Sequence, residues 1–298
     1  PLRPVWAGEL LVGEGGARRL RQDARGGGRR PQHQGERAGA GGGDGDDGDD
    51  HAARRVGEDP LTIRKRNFYR EGRDTTHYGQ QVDQKQLLHT LVDTLETSSD
   101  YWARRQHIRD YNAASPVIKK GLALTPVKFG ISFTAQHLNQ AGALLHVYTD
   151  GSIMINHGGT EMGQGLYTKV AQIVATTLQI DVGYISCTAT RTDKVPNTSP
   201  TAASSGSDLN GMAAKQAAEA LKHRLSEFAA RQFSVDISAV QFAEGNVYIG
   251  DDILTFSELA HLAYLNRVSL SAVGYYRTPK IHYDRNLAQG RPFYYFAY

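Results

Sequence analysis

Polar and apolar positions follow one of two periods along most of this chain, and neither period along its first stretch. Leu87, Leu88, Leu91, Val92 and Leu95 recur at helical spacing, and Tyr101 to Tyr111 continues as a second, arginine-rich amphipathic segment, which predicts a small helical pair. Leu122 to Thr134 and Ala143 to His157 are rich in Val, Ile, Phe and Tyr and predict strands, with Asp150-Gly151 as a two-residue hairpin signal in the second. From Leu166 the apolar positions fall at Val170, Ile173, Val174 and Thr177, one buried stripe of a helix, and Tyr184 to Thr190 returns as a strand. That order is a strand-helix-strand crossover.

After a polar loop from Arg191 to Ser205, the residues Leu209, Met212, Ala213, Ala217, Ala220, Leu221, Leu225 and Phe228 mark a long helix. Ser204, Ser205, Ser207 and Asp208 are its cap candidates. Asn246 to Phe256 predicts a short hairpin around Gly250-Asp251-Asp252, Ser257 a cap for a helix to Asn266, and Val268 to Tyr276 a strand. The fold class expected is α+β, with mixed sheets and crossover helices. The chain stops at Tyr298 inside an aromatic, strand-like run from Phe293, as a truncated domain would.

Up to residue 56 the texture differs. Of the 32 glycines, 14 fall in the first 50 residues, while Lys, Ser, Asn, Phe, Tyr, Ile and Met are absent from the first 60. Such a stretch has nothing with which to build a core, and Gly41 to Asp50 is of low complexity. It is either a disordered tail or a frameshifted translation of GC-rich DNA, whose codons yield Gly, Ala, Arg, Pro and Asp. Ten arginines against nine acids in the first 55 residues argue against a nucleic-acid-binding arm.

Over the whole chain, 34 basic against 31 acidic residues leave a net charge of +3, too little for a protein that coats nucleic acid. No apolar run approaches the roughly 20 residues that span a bilayer. No leader opens the chain, so the expected compartment is the cytoplasm. The single cysteine, Cys187, excludes an internal disulfide and any thiolate cluster, and it is expected as a small buried hydrophobe. The histidines lack metal-ligand spacing, and His157 stands alone before its glycines; they are expected to be structural or solvent-facing.

Two loops run straight into helices and present backbone N–H groups to whatever lies above them: Gly158 to Gly165 and Ser199 to Ser207. Anion binding is the natural use of such loops. A phosphate-binding P-loop fails because Gln164-Gly165 replaces the required Lys and hydroxyl, and no dinucleotide fingerprint can be placed. What remains is a neutral amide, Gln164, suited to an uncharged heterocycle or an oxo ligand. In Lys128 to Thr134, Phe129 and Phe133 flank Gly130 at a spacing that puts both on one strand face. They are either core residues or a platform on which a flat ring stacks, with Thr134 bonding the ring edge.

Lys128 to Thr134, His146 to Gly151, Gly158 to Gly165 and Val195 to Ser204 together resemble the molybdenum-binding subunit or domain of the xanthine dehydrogenase and aldehyde oxidase family. Asp59-Pro60-Leu61, Arg66 to Tyr69 and Gly274 to Pro279 extend the resemblance over about residues 57 to 298, in consistent order. It implies the molybdopterin-binding fold, with residues 57–115 a helical segment joining a preceding subdomain and 116–298 an α+β subdomain truncated at its end. It also implies hydroxylation of xanthine or hypoxanthine with water as oxygen donor. Electrons would pass to iron–sulfur clusters and FAD on partner domains or a partner subunit, in a dimer of heterodimers.

By motif position, the resemblance implies that Phe133 would pack against the purine, Thr134 would hydrogen-bond it, and Ala202 would line its pocket. It likewise implies that Met162, Gln164 and Ser204 would hold the molybdopterin, Ser204 at its phosphate, with the Ala203 backbone beside molybdenum. Three departures qualify this. The Gly/Arg/Asp stretch occupies the place of a Phe/Arg/Gly-rich loop, the family's general-base glutamate would lie beyond Tyr298, and its purine-recognising Glu and Arg would lie before residue 1. The expectation is therefore a fragment that contributes part of the site without turning over. Its alternatives are a fragment of an aldehyde oxidase-type enzyme and a non-catalytic anion-binding remnant.

Overall fold

The computed structural model describes residues 44–194 and 197–298. Its first part is helical: α1 (Asp44–Val56), α2 (Pro60–Asn67), α3 (Leu87–Ser98) and α4 (Tyr101–Ala114). Helix α1 corrects an expectation, because its residues belong to the stretch read as coreless, yet Ala53 is fully buried. The reason is tertiary: Asp50 pairs with the buried Arg64 of α2 at 3.0 Å, and Asp49 accepts from Asn67, so these two acids serve as partners to a basic helix. Residues 1–43, where the rest of that expectation falls, lie outside the described residues.

Asp59 caps α2 through Leu61 N–H and also receives Arg105 of α4, while Lys65 reaches Asp93 and Glu96 of α3. Leu61, Phe68, Leu88, Val92, Tyr101 and Leu124 close into a small core. The stripe on α3 is wider than its cover, so Leu87, Leu91 and Leu95 stay exposed.

Of the strand expected over Leu122 to Thr134, only β1 (Phe129–Ile131) forms. Pro126 has no N–H to give a ladder, and the segment before β1 joins no sheet. The expected hairpin is present as β2 (Gln140–Val147) and β3 (Ile153–His157), with Asp150 Oδ1 accepting from Ser152 N–H at 2.9 Å in the turn. Then come α5 (Leu166–Leu178) and β4 (Ile185–Cys187), which pairs parallel to β3 and completes the expected crossover. Leu166, Val170, Val174 and Leu178 are its buried stripe.

The long helix α6 (Gly206–Phe233) follows, then a meander of β5 (Val240–Ala243), β6 (Asn246–Ile249) and β7 (Asp252–Thr255), of which β5 had no sequence signal strong enough to predict. Helix α7 (Phe256–Leu265) is capped by Thr255 and Glu258 in a reciprocal capping box, not by Ser257. Ser257 instead donates to the Asp150 carbonyl and ties the helix to the β2–β3 turn. Strand β8 is Ser271–Arg277, later than expected, because Val268 N–H is spent on the Ala263 carbonyl at the end of α7.

The main sheet has the order β4-β3-β2-β8, and α6 crosses β2 and β8 with α5 beside it. The close approach rests on small residues. Ala213, Ala214, Ala217 and Ala218 are fully buried, and a Cβ on Gly274 of β8 would run into the Ala213 carbonyl. Last come β9 (His282–Asp284), β10 (Gln289–Arg291) and β11 (Tyr295–Ala297), and β11 pairs antiparallel with β1. The buried Gln80 donates to the Phe293 carbonyl at 2.8 Å, so the segment between α2 and α3 is bonded to the residues just before β11. The architecture is α+β, as expected.

Candidate functional site

Three loops meet at the starts of α5 and α6. Thr160 N–H donates to Thr201 Oγ1 at 2.8 Å, joining the Gly158–Gly165 loop to the loop before α6. Ser199 Oγ donates to the Leu138 carbonyl and joins that second loop to the segment after β1. Beneath them, Thr190 Oγ1 donates to the Gly159 carbonyl at 2.6 Å. A Cβ on Gly158 would strike the Thr198 methyl, and one on Gly159 would lie 2.8 Å from Asn210 Nδ2. These glycines are there for room.

The third loop carries Phe133 and Thr134. Asn139, nearly fully buried, accepts from Phe133 N–H at 2.7 Å and donates to the Phe133 carbonyl at 2.8 Å, closing the loop on itself. Ser132, also buried, sits at φ 134°. Ala203 and Ser204 sit at φ 54° and 53° directly before α6. Left-handed backbone in non-glycine residues costs on the order of 1–2 kcal/mol each, and it persists where surrounding structure imposes it.

Phe133 and Ala203 are half-buried, whereas Thr134, Met162, Gln164, Ala202 and Ser204 are exposed. Gln164 differs from the free amide expected. Its Oε1 accepts from Met162 N–H at 2.6 Å and its Nε2 donates to the Thr160 carbonyl at 2.8 Å, so it braces its own loop. Phe129 is exposed on β1. Ser205, at the cap position of α6, makes no side-chain bond to the first-turn amides and donates to the Ala202 carbonyl instead. Asp208 in that turn receives Tyr295 OH at 3.0 and 3.1 Å. Burial raises the Asp208 carboxyl above its usual range, partly offset by that bond, and burial pushes Tyr295 up to about 12.

Of the two expectations for His157, structural or solvent-facing, the buried one holds. Nδ1 accepts from Gly159 N–H at 3.1 Å, Tyr167 meets the ring edge-on, and burial lowers it to about 4, so it is neutral. Its Nε2 and the Asn210 Oδ1 are buried without a hydrogen-bond partner among the described residues. Cys187 is pushed up to about 11 by burial and stays a thiol. Sequence patterns missed Glu161, Thr201, Asn139 and the Asp208–Tyr295 pair. Only Glu161 had a local signal, an acid just before a helix start.

Among the described residues no cluster of three His, Cys, Asp or Glu side chains is placed to hold a metal ion, and no helix is long and apolar enough to cross a membrane. A cavity of about 990 Å³ opens at the far end of α5, between Gln179, Asp181, Tyr184, Glu244 and Ser257. It lies roughly 20 Å of helix away from the loops. The loops themselves suit a cofactor that is neutral in one part and anionic in another. Among the described residues Ser205 makes no side-chain cap bond at the start of α6, and His157 and Asn210, each with one buried polar atom that lacks a partner there, both lie against Gly159.

The sequence profile described as "molybdopterin cofactor-binding domain" matches residues 94–298, and the chain belongs to that family. Relatives that the chain matches over most of its length include xanthine dehydrogenases. It is 46% identical over 232 residues to "Xanthine dehydrogenase" of Calliphora vicina, a match covering 78% of this chain and 16% of that protein. It is 42% identical over 246 residues to "Xanthine dehydrogenase/oxidase" of Gallus gallus, covering 83% and 17%. The chain thus spans about one sixth of the length of these relatives. Among solved structures, "Reconstituted CO dehydrogenase from Oligotropha carboxidovorans" matches with a TM-score of 0.67 at 20% identity, over 78% of this chain and 32% of that one. The aldehyde oxidoreductase of Desulfovibrio desulfuricans gives 0.59 at 21%, over 83% and 24%. These two likenesses concern the fold.

Proposed function

We propose that the chain forms part of a cytoplasmic molybdenum hydroxylase acting on xanthine or hypoxanthine, and contributes part of its molybdopterin and purine site. The observation that carries this is the bonding of three loops into one cluster by Thr160–Thr201 and Ser199–Leu138, because those loops hold the motifs that resemble xanthine dehydrogenase. Met162 and Gln164 would hold the pterin from one side and Ser204 its phosphate from the other, with the Ala203 backbone beside molybdenum. The uncapped amides at the start of α6 favour an anion there. Phe133, Thr134 and Ala202 would receive the purine.

When bound, the cofactor supplies the two-electron oxidation that lets water hydroxylate a ring carbon. This chain's residues bind and orient. Asn139 fixes the backbone on both sides of Phe133, and the Asp208–Tyr295 bond holds β11 to the first turn of α6. Iron–sulfur clusters and FAD would sit on partner domains or a partner subunit, and the relatives' names favour purines over aldehydes. The test is to express the chain in a host that makes the cofactor and assay the purified protein for pterin and molybdenum. Equimolar amounts are expected, and their absence from a folded chain would overturn the reading. In the full-length protein, faster oxidation of aldehydes than of xanthine would overturn the substrate.

A further inference from the structure

Glu161 is an acid inside the loop that leads into α5, and its carboxylate is committed to that loop. Oε1 accepts from Gly163 N–H at 2.8 Å and from Gly165 N–H at 3.0 Å, and Oε2 accepts from Tyr167 N–H at 3.1 Å. Gly165 is the cap position of the helix and Tyr167 lies in its first turn. The Tyr167 amide, then those of Gly165 and Gly163, hold Glu161 below its usual range against a smaller desolvation cost, so it is ionised at neutral pH. No basic side chain is among these partners.

The glycines make the arrangement possible. Gly163 at φ 95° and Gly165 at φ 74° turn their amides toward one point, and the space where a Cβ would sit is open at both, so conformation alone requires glycine. Met162 N–H is already taken by Gln164. The donors with which such a loop ordinarily grips a phosphate are therefore used by the protein itself.

We propose that Glu161 is a positioning and selectivity residue: a built-in anion that seats itself at the start of α5, shapes the Met162–Gln164 turn, and turns phosphate away from this loop. Its use in orienting molybdopterin, with a neutral part of the ligand over this loop and its charged end elsewhere, rests on the proposed function. The seating of Glu161 does not.

The test uses the full chain with inorganic phosphate and acetate as probes, read by NMR on the amides of Gly163, Gly165 and Tyr167. In the wild type, millimolar phosphate should leave these signals in place. In E161A it should shift them and raise the thermal midpoint, and acetate should do the same in place of the lost carboxylate, a rescue that loss of mere packing would not permit. Phosphate shifts in the wild type as large as in E161A, or none in a folded E161A, would overturn the proposal.

E161Q is nearly isosteric and covers the case in which E161A does not fold. Its amides at 163, 165 and 167 should exchange with solvent about tenfold faster than wild type while α6 is unaffected. Unchanged exchange there would count against it. Neither readout involves the cofactor, so a chain that takes up no pterin defeats the proposed function and leaves this result standing.

Discussion

The starts of α5 and α6 lie in one cluster and meet the need for a helix cap in opposite ways. At α5 the loop is glycine-rich, its positive φ angles are relaxed, and Glu161 satisfies the amides from within. At α6 the approach is made by Ala203 and Ser204, both left-handed without being glycine, and among the described residues no side chain caps the first turn. One start is closed by its own sequence and the other is left open at a cost in backbone strain. Strain kept next to unsatisfied donors is the pattern of a place arranged for a ligand. Similar loop composition therefore did not mean similar use.

The largest test of this contrast concerns the base of the closed loop. His157 has a folded value of about 4 against an ordinary 6.5, so the unfolded chain takes up its proton first. Its contribution is intact above pH 6.5 and is lost as pH falls toward 4, levelling off at about 3 kcal/mol. Urea unfolding across that range should show a slope in the wild type that shrinks in His157→Asn; equal slopes would exclude His157 as the source.

Next comes the packing of one loop on the other. Gly158→Ala drives a methyl into Thr198 and should cost about 2 kcal/mol, most of it recovered when Thr198→Ser is added, as measured by denaturant midpoint. Thr201→Val leaves Thr160 N–H without its acceptor at nearly constant shape. It should cost about 1 kcal/mol, and an unshifted midpoint would mean the loops are not joined there. Smallest is Ala203→Gly, where relief of a left-handed alanine outweighs the added freedom of the unfolded chain by about 0.5 kcal/mol. A loss of stability there would remove the claim of strain at α6.

Which parts were legible follows from the range of each signal. The β2–β3 hairpin, the α5 stripe and the crossover to β4 could be read because a turn dipeptide and an i, i+4 stripe are local. The cap of α7 was misplaced by two residues because Thr255 and Ser257 are both competent, and only the position of Glu258 three residues after Thr255 decides between them. Of the site, the loops were legible from their glycines and small residues. How their atoms are spent was not: Gln164 reads as a free amide until its two loop bonds are seen, and the place of Glu161 just before a helix does not tell that its carboxylate takes the Gly163, Gly165 and Tyr167 amides.

The sequence by itself determined the α+β class, the family and the order of the three loops, since these rest on periodicity and on contiguous motifs. Tertiary structure alone decided what distant residues do to one another. It paired β1 with β11 across more than 160 positions, drew Asp50 of α1 onto Arg64, and set Tyr295 on Asp208. The physical reason is that a hydrogen bond or ion pair between remote segments leaves no trace in local spacing. Its partners are brought together only when the apolar faces of α5, α6 and the sheet are buried against each other.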